Sequence, residues 1–213
     1  TYRINERDDS NRQVAAAERD VYVPVGLIAP MPANLPALGF DIHAEPIRHA
    51  AIESAIASGA VAATAPLTLV QQEKAGSGVL LLAPLRARGA PARGSGDDYL
   101  AGFAVLVIKV DEMVGIATHD SLAPGLQFSL RDAALADTGQ LLYHSSVGEG
   151  RTLDGWAWRK SIGIGDRSWE LRLVPTEAYF QQQRHWTSWT VGVLGLLFAT
   201  LLQLLMLGMT GRT

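Results

Sequence analysis

The chain contains no cysteine. This removes disulfide frameworks, thiol catalysis and cysteine-ligated zinc together, while leaving the compartment open. Positive charge is also thin: 18 Lys and Arg stand against 21 Asp and Glu, a net charge of -3. No stretch gathers enough basic side chains to neutralise a run of phosphates, so nucleic acid is not an expected partner. Catalytic signatures are missing as well, with no Walker loop, no G-x-G-x-x-G and no G-x-S-x-G. His119-Asp120-Ser121 has the residue types of a hydrolytic triad, but sequence neighbours do not form that relay. His43 and His49 stand six apart, without the i, i+4 spacing that puts two imidazoles on one metal. The carboxylate pairs Asp8-Asp9 and Asp97-Asp98 read as solvated loops. No catalytic residue, metal site or cofactor is expected.

What is present is an ordinary core-forming composition, 48% hydrophobic over 213 residues, enough for one large domain or two small ones. The apolar residues concentrate at one end. Trp189 to Met209 carries no charge and only Gln203 as a strongly polar side chain. At ~1.5 Å per residue such a helix is about 31 Å long, the thickness of a bilayer's hydrocarbon core, so a transmembrane helix is expected there. Trp186 and Trp189 stand where interfacial aromatic rings belong. At the other end, Thr1 opens without an initiator methionine or apolar leader and runs into strand-like TYRINERD, which reads as the interior of a longer protein.

Between the ends, Asp20 to Ile28 is β-branched and aromatic and predicts a strand. Met31 to Ala37 predicts a proline-rich connector, and Glu45 to Ser58 a helix with Pro46 near its start and Gly59 just past its end. Ile47, Ala51, Ala55 and Ile56 are its expected buried face. Val61–Thr64, Leu67–Val70, Gly78–Leu85 and Tyr99–Val110 read as strands, the last two joined by a hairpin loop over residues 86–98. After a short helix over Asp111–Ala117, four strands follow at Leu126–Asp132, Gln140–Ser145, Trp156–Ile164 and Ser168–Val174, a second antiparallel unit. Pro175 ends it, Thr176 is an available N-cap, and one long helix is expected from Glu177 through Met209.

Tyr22, Pro24, Val25, Pro30, Asn34, Leu38-Gly39-Phe40-Asp41, Pro46, Arg48, Ala51, Ala55, Gly59, Thr64, Pro66, Leu69, Gln71, Gly78 and Pro84 keep the order and spacing of a known pattern. Over roughly residues 1–117 the chain resembles the CHASE domain, an extracellular sensing domain associated with histidine kinases and cyclases. Residues 118–180 look like the membrane-proximal part that follows it. The resemblance implies an α+β fold of two PAS-like mixed α/β modules: a distal sensing module over 1–117, missing its front, and a proximal antiparallel module over 118–175. A linker and transmembrane helix follow over 176–213, with the span at about 189–209. It implies a sensor outside the cytoplasmic membrane, a small-molecule ligand, a homodimer, and a kinase or cyclase output beyond Thr213. By analogy with hormone-binding members, the ligand contacts fall on Asp41 in Gly39-Phe40-Asp41, on backbone at Ala63 and Thr64, on the segment through Leu67, and near Gln71. For Asp41 the competing role is a carboxylate fastening the loop ahead of the Pro46 helix, and for Arg48 a surface or capping ion pair. A module that senses another protein, or only dimerises, is the alternative function.

Overall fold

The computed structural model describes residues 3–8, 10, 12–68, 77–87, 99–119, 121–134, 140–145, 151–182 and 186–210. Its N-terminal ribbon pairs β1 (Asn5–Arg7) with β2 (Gln13–Ala15), antiparallel. Asp8 closes the turn between them by accepting from the backbone N–H groups of Ser10 and Arg12. The expected strand over residues 20–28 does not form. Pro24 has no N–H to give a ladder, and the segment makes only the isolated bridge from Pro24 to Asp41. It is tied down by alternate bonds instead: Val25 N–H donates to Phe40 O, Gly39 N–H to Val25 O, and Ile42 N–H to Val23 O. The connector beyond it coils into α1 (Met31–Asn34) and a 3-10 turn at Leu35–Ala37.

A second 3-10 turn, Ile42–Ala44, leads into α2 (Pro46–Ser58). Glu45 caps its start by accepting from Arg48 N–H, and Gly59 ends it in the left-handed region at φ 65°. The buried face is Arg48, Ala51, Ile52 and Ala55, one position round from the expected stripe, and Ile56 is exposed. Arg48 shifts the register of that face. Its guanidinium lies over the Phe40 ring at 5.1 Å and pairs with Glu45 at 3.3 Å, so the longest polar side chain on the helix points inward.

The first sheet is organised around β5 (Ser77–Ala87). β6 (Tyr99–Lys109) runs antiparallel along one edge, while β3 (Ala62–Ala63) and β4 (Leu67–Thr68) line the other edge one after the other. Val79, Leu80 and Leu82 of β5 are buried, each contributing roughly 1.5–3 kcal/mol relative to exposure. Phe40, Ile42, Ala51, Ile52, Leu67, Leu80 and Leu82 form one core cluster between α2 and this sheet. The 86–98 hairpin loop lies outside the described residues from 88 onward.

α3 (Val110–Thr118) turns the chain into the second sheet, ordered β8 (Gln140–His144), β7 (Leu126–Asp132), β10 (Arg167–Pro175), β9 (Trp158–Ile164), all antiparallel. The architecture is α+β with antiparallel sheets, as the sequence suggests. A second core cluster takes Ala63 and Val79 from the first sheet, Val110 and Val114 from α3, and Phe128, Leu130, Leu142 and Trp169 from the second. The point between residues 117 and 118 falls inside the last turn of α3, and this cluster draws side chains from both sides of it.

Pro175 still pairs with Leu126 at the end of β10, and α4 (Glu177–Gln182) and α5 (Trp186–Thr210) follow. The continuity expected between them falls on residues 183–185, outside the described residues. Within α5, Trp189–Gly208 is long and apolar enough to cross a membrane, and none of it is buried in the protein.

Candidate functional site

Asp41 is fully buried at the junction of three segments. One carboxylate oxygen accepts from Val23 N–H at 2.8 Å and from His43 N–H at 3.1 Å, and the other meets the Arg19 guanidinium at 3.4 Å. Arg19 also pairs with Glu6. The buried charge is therefore matched by a cation and two oriented backbone dipoles, as a carboxylate out of water requires. Gly39, two residues earlier, sits at φ 81°, and a Cβ there would overlap the Arg3 carbonyl oxygen. Only glycine lets the N-terminal segment pass so close to the Asp41 loop.

Ala63 and Thr64 are buried on the β3 edge, and their polar groups are engaged within the protein. Ala63 N–H donates to Asp166 Oδ1 at 2.8 Å, Thr64 N–H donates to Leu80 O at 2.9 Å, and Thr64 Oγ1 accepts from Leu80 N–H at 2.9 Å. Leu67 lies in the α2 core cluster. Gln71 lies outside the described residues. The structure thus gathers Asp41 and Leu67 about the α2 core, with Ala63 and Thr64 on the adjoining edge of the sheet.

Asp166 carries no recognisable signal in the sequence beyond a Gly-Asp turn. It occupies the β9–β10 turn and reaches into the first half of the chain: besides Ala63 N–H, its carboxylate accepts from Ser54 Oγ of α2 at 2.6 Å. Gly165 beside it has φ 61°, and a Cβ there would lie 3.1 Å from both Ala63 N and Val61 O. Burial opposes ionisation of Asp166, but the bonds from Ser54 and Ala63 and the Arg167 charge outweigh it and hold the carboxyl below its ordinary value.

The other end of β10 is anchored equally closely. Thr176 is fully buried, and both its N–H and its hydroxyl donate to Gly125 O, at 2.9 and 2.8 Å. The hydroxyl expected to cap α4 is spent on Gly125 instead. Gly125 has φ 82°, and a Cβ on it would lie 2.6 Å from Tyr179 N. Arg48, for which a surface or capping ion pair is the expectation, does pair with Glu45 ahead of α2 but is buried, its guanidinium over Phe40; burial pushes that guanidinium below the ordinary value, offset in part by Glu45. The spacing argument that kept His43 and His49 apart is corrected: one residue in the 3-10 turn and one in α2, their rings lie 4.2 Å apart. Of the triad-like trio, His119 ends α3, Ser121 lies in the turn beyond, and Asp120 lies outside the described residues.

No curated protein matches the chain. The family model of the CHASE domain matches residues 1–143, from the N-terminal ribbon through β7 and most of β8. CHASE domains are extracellular, sensory and non-catalytic parts of membrane receptors. With two thirds of its length matched, and with the helix, turns and paired strands described above falling within that match, the chain belongs to the CHASE domain family.

Proposed function

We propose that the chain is the periplasmic or extracellular sensing part of a receptor of the histidine kinase or cyclase type in the cytoplasmic membrane, working as a homodimer with α5 as its span. It binds a small molecule in its N-terminal half and passes the event through β10 into α4. The observation that carries this reading is the Asp166 contact. A carboxylate on the β9–β10 turn holds the Ala63 N–H and the Ser54 hydroxyl, and the far end of the same strand leads straight into the helices. The ligand site proposed on Asp41, Ala63, Thr64, Leu67 and Gln71 shares that Ala63 N–H. A ligand that takes it displaces Asp166, while Asp41, its oxygens already committed, builds the wall.

Hydrogen exchange on the full chain in nanodiscs tests the coupling. Asp166→Ala is expected to speed exchange at Ala62 and Ala63 and also at Thr176 to Gln182. Faster exchange confined to Ala62 and Ala63 would refute transmission through β10. The alternative, a protein-sensing or dimerising module, is favoured by β6, whose Leu100, Val105, Leu106 and Val107 are exposed although they belong to a strand.

A further inference from the structure

Three side chains that the sequence separates converge beside the start of α2. His43 leaves the 3-10 turn whose first N–H groups are governed by Asp41, while His49 and Glu53 stand one helical turn apart on α2. The imidazole rings are 4.2 Å apart and tilted by 49°, and His49 Nε2 lies 4.0 Å from Glu53 Oε1. One ligating atom from each of the three residues lies within 4.8 Å of the other two.

We propose that His43, His49 and Glu53 bind a divalent transition-metal cation, with Zn2+ as the best-fitting ion and a fourth coordination position left to solvent or a further ligand. Two imidazole nitrogens and one carboxylate oxygen are the donor set that suits Zn2+, whereas Ca2+ and Mg2+ take oxygen cages and Cu(I) takes thiolates, which this chain lacks. Ligand atoms on a tetrahedral zinc are about 3.3 Å apart at its usual bond lengths, so the trio has to draw in. It has the freedom to do so, because the Glu53 side chain is 59% exposed and that of His49 45%. A ring contact and a helical ion pair account for the residues two at a time. A shared cation accounts for all three being within reach of one point.

Coordination clips the 3-10 turn to the second and third turns of α2. Both neighbours of the clip matter to the rest of the molecule: Asp41 begins the turn, and Ser54, next to Glu53, carries the hydroxyl that holds Asp166. The cation therefore bears on the elements that meet the second sheet, and this holds whether or not the ligand reading above is correct.

The test uses the full, untagged chain in detergent micelles, stripped with EDTA and titrated with ZnCl2 against a chromophoric chelator. One Zn2+ per chain is expected to bind saturably. His49→Gln should weaken it by about tenfold or more and Glu53→Gln by several-fold, with His144→Gln unchanged, these being ordinary losses for one ligand of three. All three side chains are partly or fully exposed, and circular dichroism of each variant checks that it is folded. Absence of saturable binding overturns the proposal, as does wild-type affinity in both the His49 and Glu53 variants, or an equal loss in His144→Gln.

Discussion

Among the described residues, each half of the protein buries one aspartate completely, Asp41 in the first and Asp132 in the second, and the two are surrounded differently. Asp132 sits at the end of β7, opposite Trp169 in the ladder, where Arg167 Nε donates to it at 2.7 Å and Ala134 N–H at 3.0 Å. It finishes a sheet that seven consecutive residue pairs already hold to β10. Asp41 has no such ladder behind it. It joins the segment at Arg19–Val23 to the turn at His43, where pairing is otherwise limited to single bonds and one bridge. The same buried carboxylate thus finishes the end of an interior strand in one place and replaces a strand pairing in the other.

The largest effect that sharpens this contrast is expected from Asp41→Ala. It leaves two backbone N–H groups without their acceptor and the Arg19 cation with Glu6 alone, a loss of about 3–5 kcal/mol by the usual cost of breaking a buried hydrogen-bonded pair. Asp132→Ala should cost less, about 2–3 kcal/mol, because the strands around it keep their own bonds. Urea unfolding of the chain in detergent, followed by tryptophan fluorescence, measures both. Equal losses would show that the ladder gives Asp132 no protection and would break the comparison.

A smaller effect, about 1–3 kcal/mol, is expected from Gly125→Ala, which has to hold a left-handed backbone and push Tyr179 away. Gly125 lies against Tyr179 at the exit of the second sheet, far in sequence from the Asp41 loop, and its effect divides accordingly: this variant should loosen α4 while leaving the Val23–Asp41 contact intact. Exchange protection lost at Val23 rather than at Tyr179 would contradict that division.

The smallest effect is the pH response of the joint between the halves. The Asp166 carboxyl titrates below its unfolded value, so its contribution is fully present above that value and disappears as pH falls through the folded one. Wild type and Asp166→Asn should therefore differ in stability at neutral pH and converge in acid. A gap that widens on acidification would reverse the assignment. The group is largely solvated, so the gap should be small.

Much of the scaffold was legible because its signals are local. Pro46 and Gly59 bracket α2, alternation marks β7 and β10, and an uncharged apolar run marks α5. Residues 20–28 misled because β-branched composition says nothing about whether a partner strand is at hand, and here the partner is a short loop ending at Asp41. Asp41 was legible as important through its family pattern. Arg48 pointing inward, the meeting of His43 with His49, and the reach of Asp166 to Ala63 were not, since each depends on contacts between segments: a ring under a guanidinium, a turn folded onto a helix, and a bond across 103 residues.

Thr176 reaches Gly125 through two donors that end on a single oxygen. Two bonds to one atom alone would leave an axis through it, but Leu153 N–H to Pro175 O, Glu177 N–H to Arg151 O and the Thr152–Thr176 bridge grip the same corner from its other side. The exit from the second sheet is therefore a clamp with two jaws, with the missing side chain of Gly125 providing the clearance beneath Tyr179. A corner gripped from both sides resists turning as well as sliding, so the end of β10 and the start of α4 form one stiff piece.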